Sequence, residues 1–475
     1  MEYSHKLEGS TRDTLEKLVS FIEARRRSDS PSADLADFET DVRELCSAVE
    51  RAVTTEELAR FDVRAPAVLV EGVVHRFVLR SECEYLTAAG TVRVERNLYS
   101  DRSGGNRALC PLERRAGIIR GYWTPRAAQL ATWVTAHLVP GEAEQLFGRL
   151  GGMTPSRSTL DRLPKDLSER WERRRGEFEQ RLRVAEEVPQ DAVVVAASLD
   201  GVMVPMKAGK RKEKRTEAEA AGKQTRGPAG YGEAACATLT LYDHEQAPRH
   251  TLRMGRMPEP KKVTIKGMLQ AELTAVVAER PELEVVAVAD GARDNWRYFE
   301  RELPDAVQIA DFYHAVEHLG VALASAYGEG STRQKSQFKK LRYILEYEAA
   351  GINTVIRSLR HLRDRFPRRT ALRREVKYFQ RNRKRMRYLE FTERGWPIGS
   401  GMVEAACKTL VTQRLKRSGM RWNIEGGQAV LTFRSAAQSQ RFDRAWDLVA
   451  STYRTDVLRV DDVDNVLAFK PRRVA

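Results

Sequence analysis

Asp200 and Asp290 each close a short apolar run, and each is followed by glycine. The runs are residues 192–199 (AVVVAASL) and 284–289 (EVVAVA). Continuous stretches of this kind read as buried strands, so both acids are delivered to strand ends. A third acid, Glu404, lies in residues 396–422, WPIGSGMVEAACKTLVTQRLKRSGMRW. There Pro397 and Gly399-Ser400-Gly401 form a turn, with Ser400 placed as an N-cap. Good helix formers then run to about Ser418, and Gly419 marks a stop. In an isolated helix Glu404 offsets the macrodipole and pairs with Lys408. Together with two strand-end aspartates it has another use. Three carboxylates at one point repel one another unless cations lie between them, and oxygen donors suit Mg²⁺ or Mn²⁺. Two such ions roughly 4 Å apart can activate a hydroxyl and steady the leaving oxygen in phosphoryl transfer.

Other residues compete for roles. Asp311 also follows a strand-like run, and it precedes Phe312 as a helix N-cap does. Asp290 is preferred as second acid because it closes the strand expected beside the first. Asp294 reads as solvated at a helix start. His314-Ala-Val-Glu317-His318 spells HxxEH, with two histidines at zinc-ligand spacing. No third ligand is evident, and a basic surface has no part in peptide hydrolysis. Val403, Cys407 and Leu410 share a helix face, and continuing it gives Arg414 and Arg417. Arg414, Lys416, Arg417 and Arg421 with Trp422 read either as a DNA phosphate contact or as a solvated helix end.

The elements that must position these groups are set in a strongly basic chain. It has 475 residues, 81 Lys/Arg against 66 Asp/Glu, and a net charge of +15. Residues 331–400 hold 20 Lys/Arg and 6 Asp/Glu, nearly the whole surplus. Charge concentrated in one segment points to an anionic partner, nucleic acid before membrane. Five cysteines, none in a CxxC pair, argue against a zinc ribbon and a disulfide framework and suit a reducing cytosol. No run reaches transmembrane length, and the polar start is no signal peptide.

In order, residues 1–60 read as helices with a break at 28–31, and residues 61–120 as a small β-rich region with a turn at Ala88-Ala89-Gly90. Residues 121–190 give three short helices, over 127–138, 142–150 and 156–163, in a helix-turn-helix-like arrangement with a charged connector. Pro164 is expected to end the third. Residues 191–329 then follow β-β-β-α-β-α-β-α, the first strand ending at Asp200 and resuming at Val202. A basic loop covers 207–230. Residues 330–395 are helical and basic, 396–435 hold the Glu404 helix, and 436–475 one more helix and a tail. Three strands, a helix and further β-α units is the order of the RNase H-like fold, in which the first and fourth strands are neighbours.

The segments SLDG (198–201), VADGARDNW (288–296), DFYHAVEHL (311–319) and PIGSGMVEAACKTLVTQRLKRSGMRW (397–422) closely resemble the ISKra group of insertion-sequence transposases. More loosely, their order is similar to Mutator and other DDE transposases. The match runs from about residue 191 to 436, and TVRVERNLY and CPLE upstream also fit. The resemblance implies an α/β RNase H-like catalytic core interrupted by an all-helical insertion. It makes Asp200, Asp290 and Glu404 the ligands of two Mg²⁺ or Mn²⁺ ions, with His314 as an accessory near the scissile phosphate. The implied activity is cleavage at transposon ends and transfer of the freed 3′-hydroxyl into target DNA. Its partners would be double-stranded terminal inverted repeats and target DNA, bound by a homodimer or larger assembly without a membrane. A nuclease of the same fold, and a DNA-binding derivative without activity, are the alternatives.

Overall fold

The computed structural model describes residues 9–28, 30, 32, 34–101, 108–207, 211–222 and 230–461. It is a mixed α/β protein with two sheets, divided into two units. Residues 174–442 form one; residues 1–173 and 443–475 form the other.

The discontinuous unit begins with α1 (Ser10–Arg26) and α2 (Leu35–Arg60). Strands β1 (Ala67–Val70), β2 (Val73–Thr87) and β3 (Gly90–Ser100) follow as an antiparallel meander. After α3 (Pro111–Ala116) come three packed helices, α4 (Pro125–His137), α5 (Pro140–Leu150) and α6 (Arg157–Arg173). Pro164 does not end the third helix as expected: α6 runs through it. Leu160, Leu163, Pro164, Leu167 and Trp171 form one buried stripe, so packing on that face holds the helix past a residue that local preference would make a stop.

The continuous unit starts at α7 (Arg175–Val184). Its strands are β4 (Val194–Pro205), β5 (Tyr231–Tyr242), β6 (Pro248–Arg256), β7 (Glu284–Ala289) and β8 (Val307–Ala310). They lie in the order β6-β5-β4-β7-β8, antiparallel from β6 to β4 and parallel from β4 to β8. Between them run α8 (Arg211–Ala220), α9 (Val263–Glu279) and α10 (Arg293–Glu302). Helix α8 falls within the stretch expected to be a loop, of which 208–210 and 223–229 lie outside the described residues. Strand β4 also departs from expectation. It continues unbroken through Asp200, which pairs with Cys236 of β5. The glycine after the acid interrupts the apolar run but not the ladder, because β5 is present to pair it.

Helix α11 (Phe312–Tyr327) leads into α12 (Thr332–Tyr347), α13 (Gly351–Arg365), α14 (Thr370–Asn382) and α15 (Tyr388–Glu393), with no strand among them. Their apolar faces join the sheet's core: Leu341, Val355, Leu359, Leu372 and Phe379 belong to one buried cluster with Val195, Val286 and Ile309. Next are α16 (Gly401–Ala406), a π-helical stretch (Cys407–Thr412) and α17 (Gln413–Leu415). Helix α18 (Ile424–Gln438) closes this unit. With α19 (Phe442–Ser451) and β9 (Leu458–Val460) the chain returns to the first unit, where β9 pairs with β1. The basic tail 470–473 lies outside the described residues. Among the described residues no helix is long and apolar enough to cross a membrane.

Candidate active site

Strands β4 and β7 are paired in parallel from Val194↔Glu284 to Ser198↔Val288. Asp200 and Asp290 each lie two residues beyond that last pair, so they are level, on neighbouring strands and at the same edge. The next strand adds a third acid. The Asp311 N–H donates to the Ala289 carbonyl at 2.9 Å, which sets Asp311 beside Asp290.

Each carboxylate is held differently. Asp200 accepts from the Gly201 N–H at 2.7 Å, and the Cys407 thiol donates to its other oxygen at 3.5 Å. Asp290 accepts from the Ala292 N–H at 3.1 Å and from the Asn295 amide at 3.2 Å. The same Asn295 amide donates to the Leu199 carbonyl at 3.0 Å, tying Asp290 to β4 at the residue before Asp200. Sequence reasoning passed over Asn295; its only signal is the spacing DxxxxN into a helix, which has no meaning until α10 folds back over the edge.

Asp311 is 0 % exposed and caps α11, accepting from the His314 N–H at 2.7 Å. Its second oxygen accepts from the Ser400 N–H. Both oxygens are therefore engaged, one inside its helix and one across to the turn before α16. Burial pushes the Asp311 carboxyl up, but the bonds from His314 and Ser400 outweigh it and hold it below the ordinary range.

The turn 397–401 docks here through its backbone. The Phe312 N–H donates to the Ile398 carbonyl at 2.9 Å. A Cβ on Gly399 would lie 2.9 Å from the ring of exposed Tyr313, which would have to move aside. Ser400 occupies the N-cap position, yet its hydroxyl bonds Glu404, at 3.2 Å, and caps no backbone N–H. Glu404, its side chain 47 % exposed, reaches within 3.7 Å of His314 Nδ1, which is 3.2 Å from Asp311. Asp311 lifts His314 to about 9, with burial opposing and Glu404 adding to the rise. The His314 ring thus stands between two carboxylates. Asp311, His314 and Glu404 have ligand atoms within 4.8 Å of one another. Asp311's full set of hydrogen bonds and its burial make it a poor open ligand, whereas Asp200, Asp290 and Glu404 all keep some exposure.

One helical turn after Glu404, Cys407 touches Asp200. The helix that carries Glu404 is therefore packed against β4 at Asp200. Cys407 is hydrogen-bonded to buried Cys236, and that bond together with burial holds its thiol well above the ordinary value. It is a neutral donor to Asp200. All five cysteines are free.

The HxxEH pair separates. His314 turns to Asp311 and Glu404, while His318 pairs with Glu375 and stacks on Tyr378 with centroids 3.7 Å apart. The two histidines do not share a ligand position, which removes the basis of the peptidase reading. Of the five residues read as a cationic end, Lys416, Arg417 and Arg421 are exposed. Arg414 is buried, 3 % exposed, with its guanidinium 5.7 Å over the Trp422 ring. Trp422 itself is pinned, its indole donating to the Leu415 carbonyl at 2.9 Å and its backbone bridging to Met206 beside β4. These two residues hold the end of the helix in place, so the exposed cationic set shrinks to three.

The chain matches no protein-family model, and no curated protein matches it.

Proposed function

We propose that this chain is a DDE-type DNA transposase built on an RNase H-like core. The observation that carries the reading is that Asp200 and Asp290 stand level on neighbouring strands, with Glu404 about one helical turn before the Cys407 that touches Asp200, so that three segments distant in sequence converge. The strand order β6-β5-β4-β7-β8, with three antiparallel and two parallel members, supports the fold assignment. The four-helix stretch α12–α15 between β8 and Glu404 supports an insertion ahead of the last acid.

Carboxylate oxygens from Asp200, within β4, from Asp290, just past β7, and from Glu404 are the donor type that divalent cations take, and Glu404 also shares with Asp311 and His314 a cluster whose ligand atoms lie within 4.8 Å. When bound, such ions supply charge neutralisation at the phosphate and activation of the attacking hydroxyl. The chain's residues do the rest. Asn295 keeps Asp290 and the Asp200 backbone in fixed relation. Cys407 donates to Asp200 and orients its carboxylate. Asp311 is a positioning residue: it starts α11 and anchors Ser400, and through Ser400 it fixes where α16 presents Glu404. His314, between Asp311 and Glu404, would stand close to a phosphate bound at these acids. Lys416, Arg417 and Arg421 would meet the DNA backbone nearby. DNA duplex with a net negative charge matches the +15 chain.

The test is strand joining. Protein is incubated with a duplex carrying the DNA that flanks this coding sequence, a target plasmid and Mg²⁺. Joined products are expected, and Asp200→Asn, Asp290→Asn and Glu404→Gln should each abolish them. Nicks without joining would identify a nuclease instead. Cleavage that survives all three substitutions, or that ignores a chelator, overturns the site.

A further inference from the structure

Next to the acids lies a cavity of about 340 Å³ that the proposed reaction does not use. It is bounded by α10, α11 and α14, and Gly291, the residue after Asp290, forms part of its wall. The Tyr378 ring stands so close to Gly291 that a Cβ there would meet it at 2.2 Å. An occupant of this cavity is therefore one residue from a candidate catalytic acid.

Two features of the lining specify what that occupant must be. Trp296 is 4 % exposed, and its indole N–H has no hydrogen-bond partner among the described residues. The buried Tyr378 hydroxyl has none either. A buried donor left unmade costs about 1–3 kcal/mol, so an acceptor is missing from both. The rim is cationic. Arg374 and Arg385 are already committed to Glu375 and Glu300. Arg293, Arg297 and Arg381 are exposed and their side chains make no salt bridge or hydrogen bond among the described residues. Uncommitted guanidinium groups above neutral donors call for a compact oxyanion with several acceptor oxygens, which is the chemistry of a phosphate.

We propose that this cavity is a phosphate subsite, filled by a backbone phosphate of the same DNA strand whose reacting phosphate lies at the acids. It rests on the DNA reading above and deepens it, giving the strand a second fixed point beside Asp290. A substrate held at two phosphates has less freedom to slide or rotate than one held at the reacting centre alone.

Metal-free protein is titrated with inorganic pyrophosphate by calorimetry, and with the flanking-sequence duplex by fluorescence anisotropy across a salt series. The triple variant Arg293→Ala, Arg297→Ala, Arg381→Ala should lose pyrophosphate binding. Its slope of log Kd against log salt should fall by about one, the change for one phosphate. Trp296→Phe, which keeps a ring but not the donor, should weaken pyrophosphate several-fold. Removing equal charge outside the cavity, with Lys335→Ala, Lys339→Ala and Lys340→Ala on α12, should leave pyrophosphate binding intact. Unchanged pyrophosphate binding and slope in the triple variant, with strand joining by the wild type intact, overturn the subsite and spare the transposase reading. Pyrophosphate binding lost but duplex slope unchanged means a free anion occupies the cavity, and overturns its assignment to DNA. A wild-type protein that ignores the duplex overturns both readings together.

Discussion

Asp290 and Asp311 are neighbours at one sheet edge, and their surroundings separate their roles. Asp311 spends both oxygens on backbone N–H donors in full burial, while Asp290 keeps part of its carboxylate open. The support of Asp290 makes a sharp expectation. Asn295→Ala removes the amide that joins Asp290 to the Leu199 carbonyl, and loss of a residue that orients a ligand costs about 10–100-fold in metal affinity or activity. Single-turnover cleavage measured across a Mg²⁺ series should show that loss, partly recovered at high metal; a variant indistinguishable from wild type would remove Asn295 from the site. Gly291→Ala tests the crowding beside it. The new methyl would meet the Tyr378 ring, an overpacking that costs about 1–3 kcal/mol by denaturant unfolding. Combining it with Tyr378→Ala should cost less than the two single changes added, since the clash is then gone.

At the scale of elements, the site depends on how α11, α14 and α16 are fastened to the strand ends. His318 of α11 and Arg374 of α14 both bond the buried Glu375 carboxylate. Burial pushes that carboxyl up, but the hydrogen bonds from His318 and Arg374 outweigh it and hold it below its ordinary value of 4.5. The folded protein thus binds this proton less readily than the unfolded chain. The stabilisation is full above 4.5 and is lost as pH falls through the lower, folded value. Glu375→Gln should therefore cost about 1–2 kcal/mol at neutral pH, modest because Arg374 is exposed. The gap to wild type should close in acid, as thermal melts at stepped pH would record; a constant gap would mean the carboxylate's charge is not what matters. Element bounds were largely legible in advance. Periodicity places α9 and α10 at 263–279 and 293–302, and the apolar run places β7 at 284–289, all as observed. The failures have a common cause. Asp200-Gly201 reads as a strand end and Pro164 as a helix stop, because each breaks the local pattern. In the fold, β5 pairs the first and a buried stripe carries the second. The π-helical stretch Cys407–Thr412 was also illegible, since an extra residue per turn leaves no mark in composition.

For the whole molecule, the division into two units is decided by β9. Its pairing with β1, and the stacking of Arg170 on Tyr453 at 3.7 Å, draw the end of the chain back to the first unit. Deleting 443–475 should strip hydrogen-exchange protection from peptides covering 67–87, while those covering 194–205 and 284–289 stay protected. Protection lost throughout would mean the units are not separately stable. That the chain is mixed α/β, basic in one helical stretch, and supplied with acids after apolar runs was open to reading in one dimension, because hydrophobic period and charge are local properties. Which acids meet was not. Asp200 and Asp290 are level because of a strand register, Asp311 is committed because Ser400 folds back onto it, and Arg414 is buried because Trp422 is tied beside β4. Each depends on groups tens to hundreds of residues apart. Only tertiary packing decides whether a charged side chain is left open to a ligand or satisfied within the protein.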